Sequence, residues 1–440
     1  MLLTEFTTLL KNLWEELMNN IKKYPFSELY EMSSGISTTK DQAGHGYPFV
    51  SFGTVFNNYF LPEQLPDLMD TSEKEQDIYS IKEGDILITR TSETIDELAM
   101  SCVATKNYPK ATYSGFTKRL RPKTTGIAYH KYLAFYLRGY LFRKAVTNNA
   151  FMTLRASFNE DIFSFLNLYL PEYQEQVKIG DMLYNMEQKI RINQKICSEL
   201  EAMAKTLYDY WFVQFDFPDE NGCPYRTSGG EMVWNAQLKR EIPKGWKAGT
   251  VGQLGDVVSG GTPTTTHEDY YCNQGIAWIT PNDLSGNENK MFISHGERDI
   301  TRSGLDNSSA VLMPKHSVLL STRAPIGYLA ISNNEICTNQ GFKSIVPNAG
   351  YHGYFIYYLL KRNVSAIAQQ GVGTTFKEVS KDTLSNFAVP LPSKILANNF
   401  AEKVTPLCEK RCVLEEENRE LERLRDWLMP MLMNGQARVE

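Results

Sequence analysis

The sequence predicts an α+β protein: one domain present twice in pseudo-twofold repeat, the copies separated by two long helices forming an antiparallel coiled coil. Three observations predict it. A set of short motifs recurs in the same order in both halves of the 440 residues. Each set ends on Leu-Pro and is followed by a long segment of helical periodicity. Within each set, short apolar runs such as Asp85-Ile-Leu-Ile-Thr89 alternate with helical stretches.

Taken in order, residues 1–23 read as an amphipathic helix with Phe6, Leu9, Leu10, Leu13 and Leu17 on one stripe. Residues 24–171 form the first copy. Its Ser34-Gly35-Ile-Ser-Thr38-Thr39 parallels Gly260-Gly261-Thr-Pro-Thr264-Thr265 in the second copy, residues 246–392. Ile81 to Arg90 parallels Met313 to Arg323, each a turn, an apolar run and then an arginine. Tyr113-Ser-Gly115-Phe116-Thr-Lys118 parallels Asn339-Gln-Gly341-Phe342-Lys343. The offset runs only from 221 (Leu391 minus Leu170) to 233 (Arg323 minus Arg90), a duplication with small loop insertions.

The segment 172–215 carries Leu183, Met186, Ile190, Asn193, Cys197, Leu200, Ala204, Leu207 and Trp211 at alternating steps of three and four. The segment 393–440 carries Phe400, Val404, Leu407, Leu414, Asn418, Leu421, Leu428 and Leu432, interrupted by Arg411 and Arg425. Both read as coiled-coil seams, with Asn193 and Asn418 available to fix register. Helices of about forty residues are roughly 60 Å long at about 1.5 Å per residue. Residues 216–245, from Asp216-Phe-Pro to Pro243-Lys-Gly245, are rich in turn formers and read as a linker.

Composition narrows the function. An apolar fraction of 42% and a charged fraction of 22% are those of a globular chain, and the formal charge of −5 excludes a histone-like basic coat. No apolar run is long enough for a membrane helix, and the N-terminus lacks a basic start, so a cytoplasmic protein is expected. Seven scattered cysteines without Cys-x-x-Cys suggest neither a disulfide framework nor a zinc ribbon, and Cys408 and Cys412 read as small buried thiols. There is no phosphate-binding Gly-x-x-x-x-Gly-Lys loop and no His-Glu-x-x-His; His267-Glu268-Asp269 lacks the second histidine. Gly371-Val-Gly373 lacks the third glycine of a dinucleotide loop, and no Asn/Asp-Pro-Pro-aromatic motif of amino-methyltransferases occurs. Catalysis by this chain is not expected.

The stretch from Leu170-Pro171 through Glu187-Gln-Lys-Ile-Arg-Ile-Asn193 to Trp211-Phe-Val-Gln-Phe-Asp216, then Glu241-Ile-Pro-Lys-Gly-Trp246, resembles the central region of specificity subunits of type I restriction–modification systems. So does the ending Leu424-Arg-Asp-Trp-Leu-Met-Pro-Met-Leu-Met-Asn-Gly-Gln436. Ser259-Gly-Gly-Thr-Pro-Thr264, Trp278-Ile-Thr-Pro281, Ser321-Thr-Arg-Ala-Pro-Ile-Gly327 and Asn339-Gln-Gly-Phe342 resemble that family's target-recognition domain. The first copy departs from this pattern, with Ser34-Gly35-Ile-Ser for Gly-Gly-Thr-Pro and Arg90-Thr-Ser-Glu93 for Arg-Ala-Pro-Ile. The resemblance implies two target-recognition domains, each reading one half of a bipartite sequence in double-stranded DNA. It further implies helical spacers that dock two methyltransferase subunits, joined by motor-nuclease subunits. No cofactor is expected on this chain; S-adenosylmethionine, ATP and Mg belong to the partners.

Neither copy is basic overall: residues 24–171 hold 15 Lys plus Arg against 16 Asp plus Glu, and residues 246–392 hold 11 against 11. DNA contact must therefore come from local groups. Candidates are Arg90 and the run Lys118, Arg119, Arg121 in the first copy. In the second they are Gly260, Gly261, Thr262, Thr264, Arg323, Lys343, Thr374 and Lys377. The glycines would let backbone N–H groups approach phosphate, and Arg90 and Arg323 at strand ends could read guanine. The bland alternatives are a solvated strand face for the basic run and structural ion pairs for the arginines. Leu183, Met186, Ile190, Leu200, Leu207, Leu421 and Leu428 are the candidate partner-docking residues. Rival readings are a coiled-coil protein-interaction scaffold, which predicts no nucleic-acid affinity, and a standalone DNA-modifying enzyme, which predicts turnover by the isolated chain.

Overall fold

The computed structural model describes residues 21–149, 156–285, 290–373 and 377–439. The expected helix within 1–23 lies almost wholly outside them, as does Thr374. The chain forms two compact units, Met1–Ile190 with Glu420–Glu440, and Arg191–Arg419.

In the first unit, besides the short pair Thr91–Ser92 and Ala156–Ser157, the strands are β1 (Lys22–Pro25), β2 (Tyr30–Ser34), β3 (Ala43–Val50), β4 (Asp67–Met69), β5 (Ile86–Thr89), β6 (Ser101–Val103), β7 (Thr112–Tyr113), β8 (Thr117–Pro122) and β9 (Asn167–Leu170). Besides three short helices before residue 80, the helices are α1 (His130–Tyr136), α2 (Tyr140–Asn149), α3 (Glu160–Phe165) and the long α4 (Tyr173–Tyr208), whose residues from Arg191 on belong to the second unit. One sheet has the order β2-β8-β5-β6 and a second the order β4-β3-β7, with β3 and β7 parallel; β1 pairs antiparallel with β9.

Strand β5 explains the layering. Its side chains alternate between faces. Ile86 and Ile88 pack with Tyr132, Leu133 and Phe135 of α1, whereas Leu87 packs with Val50, Cys102 and Tyr113 towards the second sheet. A run without polar alternation is what a strand covered on both faces requires.

The second unit has β10 (Met232–Asn235), β11 (Arg240–Pro243), β12 (Lys247–Thr250), β13 (Asp256–Ser259), β14 (Ile276–Ile279), β15 (Asp299–Ile300), β16 (Val318–Leu320), β17 (Leu329–Ser332), β18 (Ile336–Thr338), β19 (Lys343–Val346) and β20 (Ala388–Leu391). Its helices are α5 (Gly353–Gln369), α6 (Lys381–Ser385) and α7 (Lys394–Met433), whose last residues belong to the first unit. Four strands of its five-stranded sheet, in the order β13-β19-β16-β17, match β2-β8-β5-β6 strand for strand, the fifth being Phe292–Ile293 beside β17. In a second sheet, edged by Tyr271–Cys272, the order β15-β14-β18, with β14 and β18 parallel, matches β4-β3-β7. The pair β12 and β20 matches β1 and β9. Sequence duplication has thus produced duplicated topology, α+β in both copies.

Residues 216–245 are not a free linker. Phe217 stacks on Tyr225 and Trp246 at ring-centroid distances of 4.8 and 5.6 Å, Ile242 is buried, and β10 and β11 form a hairpin. The Asp216 carboxylate accepts from the Thr227 N–H at 2.8 Å and from its hydroxyl at 2.7 Å. Turn formers made the chain reverse here; the aromatics between the turns anchor it to the core.

The two long helices pair within each unit. In the first, Ile179 and Leu183 of α4 share a core with Leu432 and Met433 of α7, and Glu187 bonds Arg425 at 2.9 Å. In the second, Asn193 donates to the Asn418 side-chain oxygen at 2.9 Å, while Ala204 and Tyr208 pack with Phe400, Val404 and Cys408. Rising numbers on α4 meet falling numbers on α7, an antiparallel pairing. Burial pushes the Cys197 thiol up to about 11 and the Cys408 thiol up to about 12, so both remain protonated packing groups. Beyond Tyr208, α4 ends in a π turn, Asp209–Val213, that delivers Trp211 and Phe212 into the core. No helix of the described residues is long and apolar enough to cross a membrane.

Candidate nucleic-acid interface

Three loops meet in each unit at equivalent places. In the first unit they follow β2, follow β5, and join β7 to β8. The Ile36 N–H donates to the Tyr113 carbonyl at 3.0 Å, the Gly115 N–H to Ile36 at 2.7 Å, and the Arg90 N–H to Phe116 at 2.8 Å. Gly35 is required by close approach, since a Cβ there would sit 2.1 Å from the Ser114 carbonyl oxygen. In the second unit the loops follow β13, follow β16, and join β18 to β19. The Gly261 N–H donates to Thr338 at 2.9 Å and the Thr322 N–H to Gly341 at 2.7 Å. A fourth segment joins here through the Val379 N–H, which donates to Thr322 at 3.0 Å.

The sequence candidates separate on this geometry. Arg90 is exposed and its guanidinium has no hydrogen-bond or ion-pair partner among the described residues. Lys118 reaches across to the Ser34 hydroxyl at 2.9 Å and remains partly exposed. Arg119 and Arg121 are corrections. Arg119 is buried, donates to the Ser80 carbonyl at 2.6 Å and lies over the Tyr113 ring. Arg121 forks onto the buried Asp85 carboxylate with bonds of 2.8 and 2.6 Å. Hydrogen bonding to Asp85 holds the Arg121 guanidinium more firmly protonated than usual. Successive residues of a strand face opposite ways, so Arg119 and Arg121 turn inward together while Lys118 does not. Tyr132 and Tyr136 are core residues.

In the second unit the glycine rationale is corrected. The N–H of Gly261 is spent on Thr338 and that of Gly260 on Phe342 at 3.4 Å, so neither faces a phosphate. Glycine is needed because a Cβ on Gly260 would meet the Asn339 carbonyl oxygen at 2.0 Å, and one on Gly261 the Ser309 hydroxyl at 2.3 Å. Lys343 is also a correction: it is buried, with its ammonium turned to Glu378 at 3.4 Å. Arg323 is half exposed and bonds the other Glu378 oxygen at 3.0 Å. Burial works to raise the Glu378 carboxyl, but the bond and charge of Arg323 together with Lys343 hold it below the usual range. Thr262 bonds the exposed Gln340, and Thr264 and Lys377 are exposed.

The surface left for a ligand is therefore Arg90, Lys118 and Phe116 in the first unit, and Thr262, Thr264, Arg323, Gln340 and Lys377 in the second. Gln340 and Glu378 were not singled out from sequence. Gln340 sits inside the Asn339-Gln-Gly-Phe342 motif, where glycine drew the attention; Glu378 carries no local signal.

The partner-docking candidates are corrected in part. Leu183 and Ile190 are buried inside their own unit and cannot meet a partner, while Met186, Leu200, Leu207, Leu421 and Leu428 are half-buried. The apolar side chains that the long helices leave exposed are Ile192, Met203, Ile395, Val413, Leu424 and Trp427. Among the described residues no group of three or more His, Cys, Asp or Glu is placed to hold a metal ion.

The family model for the type I restriction modification DNA specificity domain matches this chain twice, over residues 18–202 and 243–422. The chain is 24% identical over 483 aligned positions to the HindI specificity subunit of Haemophilus influenzae, covering 95% of this chain and 100% of that one. It is 38% identical over 166 positions to the MjaIX specificity subunit of Methanocaldococcus jannaschii, covering 36% of this chain and 38% of the relative. Among solved structures, the type I restriction–modification S subunit of M. genitalium matches with a TM-score of 0.60 at 13% identity, covering 94% of this chain and 96% of that one, a likeness of fold. Two copies of the matched domain, each holding the same three-loop surface, make this chain a member of the type I restriction–modification specificity-subunit family.

Proposed function

We propose that each unit reads one half of a bipartite, asymmetric sequence in double-stranded DNA, and that the long helices address methyltransferase subunits to it. The observation that carries this reading is the construction of the same loop surface twice on one topology with different side chains. Arg90, Phe116 and Lys118 occupy it in one unit; Arg323, Gln340 and Thr262 occupy it in the other. Different chemistry on a common scaffold is what reading two different half-sites requires.

In this reading the chain itself catalyses nothing. S-adenosylmethionine serves the methyltransferase subunits, and ATP and Mg serve motor-nuclease subunits that join for restriction, in the cytoplasm. The exposed helix residues Ile192, Met203, Val413, Leu424 and Trp427 supply apolar contact area for two methyltransferase subunits. With a net charge of −5 and few free cations on either surface, the isolated chain binds DNA weakly and its partners complete the grip.

The test is a gel shift of the chain with its methyltransferase subunits. A duplex carrying both half-sites should bind tightly, with log affinity falling linearly with log salt, while a duplex with one half scrambled binds at least about a hundredfold more weakly. Equal affinity for the intact and scrambled duplexes would contradict the proposal.

A further inference from the structure

The first unit presents a phenylalanine to solvent on a turn too constrained to withdraw it. Phe116 is 64% exposed. Around it the Thr117 N–H and hydroxyl both donate to the Ser114 carbonyl, at 2.9 and 2.7 Å, and the Phe116 N–H donates to the Ser114 hydroxyl at 3.2 Å. Its carbonyl accepts from Arg90, and a Cβ on neighbouring Gly115 would lie 2.9 Å from the Ile36 carbonyl oxygen. A single exposed apolar residue needs no explanation in general. This one is held by a hydrogen-bonded loop whose backbone is tied to that of Arg90, an exposed residue with no side-chain partner among the described residues, and Lys118 follows two residues on. Among the described residues, the other strongly exposed aromatics of the unit's sheet-and-helix module, Tyr140, Phe165 and Tyr169, lie on α2, α3 and β9, outside the three loops.

The second unit sharpens the contrast. By strand register, with Ser34 opposite Lys118 in one unit and Ser259 opposite Lys343 in the other, Phe116 falls on Gly341; Phe342 falls on buried Thr117 and is itself fully buried, and the exposed side chain of that turn is Gln340. One turn of common topology therefore offers an aromatic ring in one copy and an amide in the other.

We propose that Phe116 touches a base directly in the half-site read by the first unit, with Arg90 engaging the adjoining base edge or phosphate. This rests on the reading that each unit engages one half-site. An aromatic ring recognises duplex DNA through a thymine methyl group at the groove edge or as an apolar wedge between base steps, whereas an amide on the same turn offers hydrogen bonds to a base edge. The two units thus read their halves by different chemistry.

The experiment compares wild type with Phe116→Ala, each co-expressed with the methyltransferase subunits. The methylated motif is read by sequencing the host's genomic DNA, and duplexes carrying that motif are used for binding. Phe116→Ala should leave Tm within about 2 °C of wild type, because the ring is exposed. It should weaken the motif duplex about tenfold and relax base choice at one or two positions of one half only. An unchanged motif and affinity, equal weakening on motif and scrambled duplexes, or a Tm loss of many degrees would overturn the assignment. A wild-type motif lacking two separate halves would overturn the proposed function and this inference with it. A two-part wild-type motif retained by Phe116→Ala overturns the Phe116 assignment alone.

Discussion

Arg411→Ala should destabilise the second unit by about 3–5 kcal/mol, the cost of breaking a buried ion pair from one side. The Arg411 side chain is 5% exposed; its Nε donates to Glu415 at 2.6 Å and its Nη1 to Glu201. Glu415 in turn accepts the backbone N–H groups of Met291 at 2.8 Å and Phe292 at 2.9 Å, tying α7 to the sheet module of the same unit. Glu201 also accepts from Lys361 at 2.5 Å and from the Tyr358 hydroxyl at 3.1 Å. Burial opposes the charge on Arg411, yet Glu415 and Glu201 outweigh it and hold the guanidinium firmly protonated. Alanine would leave two carboxylates facing each other with their bridge gone. For a unit of this size the loss corresponds to a Tm lower by roughly 6–20 °C. Arg411→Lys should recover only part, because an ammonium cannot fork onto both carboxylates. A Tm within about 2 °C of wild type for Arg411→Ala would show the network to be incidental.

Arg121→Ala should cost the first unit about 3 kcal/mol while leaving its DNA selectivity intact at temperatures where it remains folded. Asp85 is fully buried, and among the described residues Arg121 supplies two of the three hydrogen bonds to its carboxylate, the third coming from the Lys82 N–H at 2.8 Å. Removing the fork leaves a buried carboxylate with one donor. Arg90→Ala should do the converse, with Tm unchanged and binding of the motif duplex weakened about fivefold or more. Thermal denaturation and binding measured on both variants check the pair. If Arg121→Ala lost selectivity without losing stability, the division into structural and DNA-facing arginines would be wrong.

These two predictions mark where the sequence was and was not legible. The duplication could be read because its landmarks, such as Leu170-Pro171 and Leu391-Pro392, sit at strand ends fixed by topology. The seam could be read because Leu183, Ile190, Asn193 and Ala204 keep helical spacing over many turns. Arg411 looked like an interruption because its partners differ in kind: Glu415 is one turn away, but Glu201 lies on the other helix, 210 residues distant in sequence. The basic run from Lys118 looked like a phosphate patch for the same reason, since Asp85 is 36 residues from Arg121. Charge in a sequence names a donor and leaves its acceptor to the fold. The segment 216–245 failed differently. Its turns were correctly located, but whether Phe217 and Trp246 meet in a stack depends on packing that turn chemistry does not encode.

Each of the two reading surfaces engages its own half-site independently of the other in this reading. Replacing residues 246–392 by the corresponding residues of a family member with a different target, in the full chain with its methyltransferase subunits, tests this directly. Sequencing of methylated genomic DNA should show one half of the motif exchanged, with the other half and the gap between them unchanged. A motif altered in both halves, or in neither, would contradict the claim that each unit reads its own stretch of DNA.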